Sequence, residues 1–210
     1  SYTFAFSGVD SGGSHTLAAT TRPNWLSFND ETGVLSGTPS DGDVGDHAVV
    51  LTVTDADGVV VTQSFSVAVA NVVPFIDTVA ITSATNAANN LLNAGDVVSV
   101  TVTMNEATDV DVSNGSPFIT LTIGGTTKQA AYASGTGTTS LVFTYTIEAG
   151  LTDADGISIG QDAITLNGAT LRDGSGADAT LTHASVAANS SYGVDTTAPS
   201  ISDVITSFGE

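Results

Sequence analysis

The chain has 210 residues and no cysteine, with 22 Asp and Glu against 3 Lys and Arg, so its formal net charge is −19. A hydrophobic content of 41% argues against disorder, which needs low hydrophobicity together with high net charge. The scarcity of basic residues argues against nucleic acid and anionic membranes as partners, because both attract clustered Lys and Arg. The apolar runs are too short for membrane insertion, and the lack of cysteine excludes disulfides and thiolate metal sites.

Short runs of alternating residues predict an all-β chain. In chain order they are Tyr2–Phe6, Ala48–Thr54, Val59–Val69, Val97–Met104 and Ser140–Ile147. Alternation at period two with many β-branched residues is typical of half-buried strands. Asp-Gly, Gly-Gly, Asn-Gly and Ser-Gly pairs between the runs predict turns, and the second and third runs should form a hairpin.

Two proline-containing segments, at residues 70–74 and 194–199, interrupt the pattern. They predict a first domain at 1–73, a second at 74–197 and the start of a following repeat at 198–210. Short strands between regular turns predict two tandem antiparallel β-sandwiches arranged end to end. Because the chain opens in a strand and stops at a Gly-Glu pair, we expect it to be a piece of a longer protein.

Two strings resemble catalytic motifs. Asp10-Ser11-Gly12-Gly13 is similar to a serine-protease nucleophile segment, but too few residues precede it to supply the other triad members. The G-x-S-x-G string at 156–160 requires a turn between a strand and a helix, whereas its Ile-Ser-Ile core predicts a strand. We therefore expect no enzymatic activity.

The acidic residues are the most informative feature, because 18 of the 22 are Asp and most fall between the predicted strands. Thr-Asp-Ala-Asp-Gly occurs at 54–58 and again at 152–156, and further groups lie at 41–46 and 106–111. Each Asp-Gly pair has a structural alternative as a hairpin turn, and exposed acids also aid solubility. However, two carboxylates about 4 Å apart repel by about 4 kcal/mol at an effective dielectric constant of 20. With few basic counter-ions and only oxygen ligands, the pattern predicts calcium.

Strand counting predicts that these acids gather at domain junctions, where a cation could join neighbouring modules. In the first domain, the turn after Thr54 should lie at the N-terminal pole, and residues 41–46 at the C-terminal pole beside Asn71. In the second domain, residues 106–111 should face the first domain across a short linker. The far pole should collect Asp96, Asp153, Asp155 and Asp195.

The first domain resembles a dystroglycan-type cadherin-like domain. The matching segments are 23–29 (P-N-W-L-S-F-N), 31–39 (E-T-G-V-L-S-G-T-P), 43–45 (D-V-G) and 53–58 (V-T-D-A-D-G). In cadherins, acids before the penultimate strand and in the final hairpin turn bind junctional calcium. The resemblance therefore implies calcium ligands at Asp43 and Asp55.

The second domain resembles the bacterial Ig-like repeats of giant RTX-type adhesins. The matching segments are 95–97, 102–107, 141–145, 171–174 and 194–199. The resemblance implies that Glu106 and Asp195 lie where calcium stiffens the joints between repeats. Across both domains, the candidate calcium ligands are Asp43, Asp55, Asp57, Asn71, Asp77, Glu106, Asp109, Asp111, Asp153, Asp155 and Asp195.

The implied function is a calcium-stabilised extender of a secreted or surface-anchored bacterial adhesin that serves attachment and biofilm formation. We expect it to be a monomer whose partners are calcium and the adjacent repeats of the same chain. One alternative is a module that binds a surface glycan or peptide, for which Tyr132 and Tyr192 are the aromatic candidates and Trp25 is expected in the core. Another alternative is a scaffold for a neighbouring functional domain.

Overall fold

A computed structural model describes residues 15–85 and 90–201 and the backbone of Tyr2 and Thr3. The chain divides into two compact units, Ser1–Val72 and Val73–Glu210, called here the first and second units. The Asp10–Gly13 string and nearly all of the 198–210 repeat lie outside the described residues. In the described part of the chain, every regular element is a strand or a short 3₁₀ helix, which confirms the all-β prediction.

The described residues of the first unit form two three-stranded antiparallel sheets, with strand orders β1-β4-β3 and β2-β5-β6. The core between them includes Leu26, Leu35, Val49 and Leu51, and Trp25 and Phe65 pack against it. The packing of Trp25 confirms its expected place. The strands are β1 (Tyr2–Thr3), β2 (Thr16–Thr21), β3 (Leu26–Asn29), β4 (Val34–Gly37), β5 (Gly45–Thr54) and β6 (Val60–Val69), with a 3₁₀ helix at Asp41–Asp43.

The hairpin of β5 and β6 confirms the pairing expected from the sequence. The two strands pair continuously from Gly45↔Val69 to Thr54↔Val60. Asp55 N–H donates to the Val59 carbonyl (3.1 Å), and Gly58 N–H donates to the Asp55 carbonyl (3.2 Å). Gly58 has a positive φ of 82°, which glycine adopts without steric cost.

The second unit contains one large sheet of order β14-β10-β11-β12-β9-β15, to which β7 adds by pairing with β9. A smaller sheet has the order β13-β16-β8. The strands are β7 (Ile76–Ala84), β8 (Leu91–Leu92), β9 (Val97–Asp111), β10 (Phe118–Ile123), β11 (Thr126–Ser134), β12 (Thr138–Thr146), β13 (Thr152–Asp153), β14 (Ser158–Thr165), β15 (Thr170–Arg172) and β16 (Gly193–Asp195), with a 3₁₀ helix at Ser190–Tyr192.

The period-two pattern places the core of the second unit. Val98, Val100 and Val102 of β9 are fully buried, as are Leu141 and Phe143 on the paired strand β12. Their neighbours in sequence are Ser, Thr and Val residues that are half-buried, except Ser140, which is exposed. The alternation predicted for Val97–Met104 and Ser140–Ile147 is therefore confirmed.

Two expectations about the second unit were wrong. Residues 106–111 are not a loop, because β9 runs for 15 residues and pairs with β15 from Asp109 to Asp111. The strand continues because Thr108 and Val110 are buried, which extends the inward alternation past Met104. The sheets are also not purely antiparallel, since β16 pairs with β8 in parallel at Gly193↔Leu91 and Val194↔Leu92.

The hairpin between β10 and β11 turns through Gly124 and Gly125, which have φ of 54° and 78°. Two successive positive φ angles define a type I′ turn, the turn that matches the twist of paired strands. A Cβ on Gly124 would lie 1.9 Å from the Thr152 carbonyl oxygen, whereas one on Gly125 would meet nothing within 4 Å. Both positions thus require a positive φ, but only Gly124 lacks room for a Cβ atom.

Alanine substitutions at Gly124 and Gly125 form a matched pair, because only the Cβ at Gly124 would collide with another residue. We expect Gly124→Ala to lower the free energy of unfolding by roughly 2–4 kcal/mol, from backbone strain plus the forced shift of residue 152. Gly125→Ala should cost only the strain, roughly 1–2 kcal/mol. Urea denaturation followed by circular dichroism measures both, and equal losses would contradict the close approach.

Candidate functional site

The acidic turns are the candidate site, and their carboxylates mostly bind backbone N–H groups of the same turn. In the first Thr-Asp-Ala-Asp-Gly copy, Asp55 Oδ1 accepts the N–H groups of Asp57 (3.0 Å) and Val59 (2.8 Å). In the second copy, Asp153 Oδ1 accepts the Gly156 N–H (2.9 Å), and its Oδ2 accepts the Gly124 N–H (2.6 Å). The first aspartate of each copy therefore fixes a turn.

The second aspartate of each copy has a different environment. Asp57 and Asp155 are exposed, and no described residue donates a hydrogen bond to either carboxylate. Asp153, in contrast, is only 6% exposed. A buried carboxylate needs hydrogen bonds to offset its lost hydration, and Asp153 obtains them from two separate turns.

Two further carboxylates of the second unit are buried and used in the same way. Asp96 is 6% exposed and accepts the Asn93 N–H at 2.7 Å. Asp173 is 3% exposed, and its Oδ1 accepts the Ser175 N–H (2.9 Å), the Ser175 hydroxyl (2.8 Å) and the Ala177 N–H (2.9 Å). The segment after Asp173 is a turn closed by an antiparallel bridge between Arg172 and Asp178. Asp173 was absent from the predicted ligands, although its position before Gly-Ser-Gly signals a capped turn.

The acidic group at 41–46 lies at the β5 end opposite Asp55. The Ser40 N–H and hydroxyl donate to Asp43 Oδ2 at 2.8 and 2.7 Å, and these bonds hold the pKa of Asp43 below its ordinary value. His47 Nε2 lies 2.5 Å from the Asp43 carbonyl oxygen, and its ring contacts Trp25 edge-on with centroids 5.6 Å apart. Asp43 is thus the anchor of the 3₁₀ turn that leads into β5.

The group at 106–111 lies along β9 rather than around one point. Asp109 and Asp111 are exposed, two residues apart on one face, and Arg172 of β15 pairs opposite Asp109. The Ser113 N–H donates to Asp111 at 2.8 Å. This hydrogen bond is the largest cause of the lowered pKa of Asp111, and the positive charge of Arg172 lowers that pKa to a smaller degree. Glu106 is half-buried, and the Asn105 amide approaches its Oε1 at 3.5 Å. The chain therefore supplies a counter-ion for this group, which the sequence reasoning did not expect.

The three basic residues are all engaged within their own units. Arg22 Nη1 donates to the Leu26 carbonyl. Lys128 forms an ion pair with Glu148 (2.5 Å), and Arg172 Nε pairs with Asp178 Oδ1 (2.6 Å). These surface ion pairs contribute little stability, but they bring opposite charge to particular acids.

The remaining predicted ligands are Asp77, Asn71 and Asp195. Asp77 is exposed in β7, and Asn71 is half-buried just after β6. Asp195 pairs opposite Thr152 and accepts the Thr197 N–H at 2.9 Å. Across residues 15–85 and 90–201, no three His, Cys, Asp or Glu side chains form a group that could hold a metal ion. Calcium at the eleven named residues, including ions shared across the linker, stays a prediction.

The catalytic-looking string and the aromatic candidates have structural positions. Ser158 begins strand β14, as its sequence predicted, so it does not lie on a strand-to-helix turn. His183 Nε2 accepts the Ala163 N–H (2.8 Å), and its Nδ1 donates to the Ala184 carbonyl (2.8 Å). Tyr132 and Tyr192 pack against the core of the second unit, Tyr132 edge-on to Phe143 with centroids 5.7 Å apart.

Asp153 and Asp155 allow a direct test of the turn role. We expect Asp153→Ala to lower the free energy of unfolding by roughly 3 kcal/mol, because the buried carboxylate's two charge-assisted hydrogen bonds to separate turns are lost. Asp155→Ala, two residues away, should stay within about 0.5 kcal/mol of the wild type. Chemical denaturation followed by circular dichroism measures both, and similar losses would show that charge density rather than capping sets stability.

Asp43 gives a pH-dependent prediction. Ser40→Ala removes the hydroxyl donor but keeps the backbone donor, so the pKa of Asp43 should rise part of the way toward its ordinary value. A depressed folded-state pKa contributes stability above the unfolded-state pKa, and this contribution disappears as pH falls through the folded-state value. The variant should therefore be less stable than wild type at neutral pH and equally stable in strong acid.

The measurement is a carboxyl-carbon NMR titration, combined with denaturation at the two pH values. Ser27→Ala, at an exposed serine of β3, is the control. An unchanged pKa of Asp43 in Ser40→Ala would contradict the assigned cause.

Comparison with protein families assigns the first unit only. A family model described as "Putative Ig domain" (He_PIG) matches residues 1–70. A search of the curated proteins found no match to the chain. None of the described residues forms a helix that is both long and apolar enough to cross a membrane. The chain therefore carries an N-terminal Ig-like domain, of the kind found in surface proteins, followed by a second all-β unit.

Proposed function

We propose that the chain is a structural segment of a bacterial surface adhesin of the giant RTX type. In this proposal the first unit is a dystroglycan-type cadherin-like domain, and the second is a bacterial Ig-like repeat. Both act outside the cell as extenders that carry ligand-binding domains away from the surface. The adjacent repeats of the same chain are their natural neighbours.

The main support for the proposal is that polar and aromatic side chains of the second unit bond to its turns or pack against its core. The buried carboxylates Asp96, Asp153 and Asp173 all accept turn N–H groups. Tyr132 and Tyr192, the aromatic candidates for a sugar site, pack against the core of the second unit. Side chains engaged in this way stabilise turns and cores, which favours a load-bearing role.

Calcium enters the proposal in a limited form. The cation takes six to eight oxygen ligands, and the described residues do not gather three acids for it. The carboxylates free of turn hydrogen bonds include those of Asp46, Asp57 and Asp155, which are exposed. We propose that such groups bind calcium weakly, in the range of about 10⁻⁴–10⁻³ M known for extracellular modules, and that the ion offsets the repulsion of a −19 chain.

Single-molecule pulling from the two ends tests this function. Because each unit has its own core, we expect two discrete unfolding events, and calcium should raise the unfolding force relative to chelator. Magnesium and sodium chloride at matched ionic strength separate specific binding from screening. Gradual extension without discrete events would contradict the extender role, whereas equal forces in calcium and chelator would remove only the calcium part.

A further inference from the structure

The second unit contains two Asn-Gly pairs, Asn114-Gly115 and Asn167-Gly168. An asparagine followed by glycine is prone to lose ammonia, because a glycine has no Cβ that hinders attack of its nitrogen on the asparagine side chain. Both asparagines are exposed, in turns at 112–115 and 166–169. The two turns therefore offer the same chemistry in different surroundings.

The two turns pack against each other through their main chains. A Cβ atom on Gly115 would lie 1.8 Å from the carbonyl oxygen of Asn167, and one on Gly168 would lie 2.3 Å from the carbonyl oxygen of Asn114. Each glycine thus leaves room for a main-chain carbonyl of the other turn. A change in the backbone at either asparagine would disturb both turns.

The 166–169 turn is held by hydrogen bonds of ordinary length. The Ala169 N–H donates to the Leu166 carbonyl at 2.9 Å. The side-chain Nδ2 of Asn167 donates to the main-chain carbonyl of Ser116 at 3.2 Å. Deamidation requires the Cγ of Asn167 to approach the Gly168 nitrogen, and the bond to Ser116 restricts the side chain that carries this atom.

The 112–115 turn is held by longer hydrogen bonds. The Gly115 N–H donates to the Val112 carbonyl at 3.3 Å, and Asn114 Nδ2 donates to the Ser113 hydroxyl, also at 3.3 Å. Both distances exceed the range of about 2.7–3.2 Å that is typical of N–H···O bonds. A hydroxyl can also rotate with its partner, whereas the Ser116 carbonyl is part of the main chain. The side chain of Asn114 is therefore less restricted than that of Asn167.

We propose that Asn114 is a site of spontaneous deamidation and that the 166–169 turn protects Asn167 from the same reaction. The Gly115 nitrogen forms a bond to the Cγ of Asn114, the Cγ–Nδ2 bond breaks, and ammonia leaves with the proton of the glycine nitrogen. The product is a five-membered succinimide. Water then adds to one of its two carbonyl carbons, and the ring opens to aspartate or isoaspartate. Water is the only other reagent, and the site does not depend on the extender role.

The isoaspartate product changes the contact between the two turns. In isoaspartate the main chain runs through the former side-chain carbon atoms, and the former main-chain carbonyl becomes a free carboxylate. The Asn114 oxygen that packs against Gly168 is then no longer part of the backbone of its turn. We expect this change to loosen the 166–169 turn, so that Asn167 reacts faster in molecules that already carry isoaspartate at 114.

The test is peptide mapping of the whole protein after incubation in mildly alkaline buffer at body temperature. Trypsin cuts after Lys128 and Arg172 but not between Arg22 and Pro23, so the two asparagines fall in different peptides, 1–128 and 129–172. Fragmentation in a mass spectrometer identifies the residue that has lost ammonia, and an isoaspartate methyltransferase labels the isoaspartate product. The same incubation in urea gives the rates for the unfolded chain.

Asn114 should react about tenfold faster than Asn167 in the folded protein, because the extra restraint on Asn167 equals about one hydrogen bond. In urea the two rates should be similar, because both pairs are then free Asn-Gly sequences. This comparison within one chain separates the effect of the turns from the effect of the sequence.

Asn114→Gln and Ser113→Ala are the variants. Glutamine would have to close a six-membered ring, so Asn114→Gln should abolish the early release of ammonia. Ser113→Ala keeps the Asn-Gly pair and removes the hydroxyl that binds its side chain, so it should keep the reaction or speed it up. Circular dichroism shows whether each variant is folded, and the wild-type peptide map decides the question if either is not.

Two results would overturn the proposal. Asn167 reacting as fast as Asn114 in the folded protein, or faster, would show that its hydrogen bond to Ser116 gives no protection. An unmodified Asn114 after an incubation in which the urea-unfolded chain reacts would show that the 112–115 turn is as protective as the other.

Discussion

The structure depends on how an acidic chain satisfies carboxylates that it buries. Only three basic residues are present, and all three are engaged by other groups. The buried carboxylates of Asp96, Asp153 and Asp173 each accept backbone N–H groups, and Asp173 also accepts the Ser175 hydroxyl. Turns provide such donors, because their amides have no strand partner. Each such hydrogen bond therefore replaces hydration that the buried carboxylate has lost, and it also gives the turn amide an acceptor. This explains why aspartate, with its short side chain, predominates among the acids.

Strand β9 organises the second unit around these turns. Its first half pairs with β12 on one side and β7 on the other, and its last residues pair with β15. Because side chains alternate strictly, one long strand carries both the buried Val98–Met104 face and the exposed Asp109 and Asp111. The acids expected around a single cation are thereby spread along a line, with Arg172 opposite them. Topology, rather than composition, decides where these charges lie.

The sequence predicts local structure better than it predicts where residues meet. Alternation in Val97–Met104 and the turn at Asp55–Gly58 depend on neighbours within a few residues, and both appear as expected. The parallel pair of β8 with β16 joins residues about a hundred positions apart, and strands of two and three residues are too short to show a period. The Asp153 bond to Gly124 spans 29 residues, so nothing within Thr-Asp-Ala-Asp-Gly distinguishes a buried cap from an exposed one.

The two copies of Thr-Asp-Ala-Asp-Gly show that the same residues have different structural roles in different surroundings. In the first unit, Asp55 caps the turn of a two-stranded hairpin at the side of its sheet, and it is partly exposed. In the second, Asp153 ties its turn to the Gly124 hairpin and is buried. The second unit thus joins two of its turns through one buried carboxylate, whereas in the first unit Asp55 accepts hydrogen bonds from its own turn.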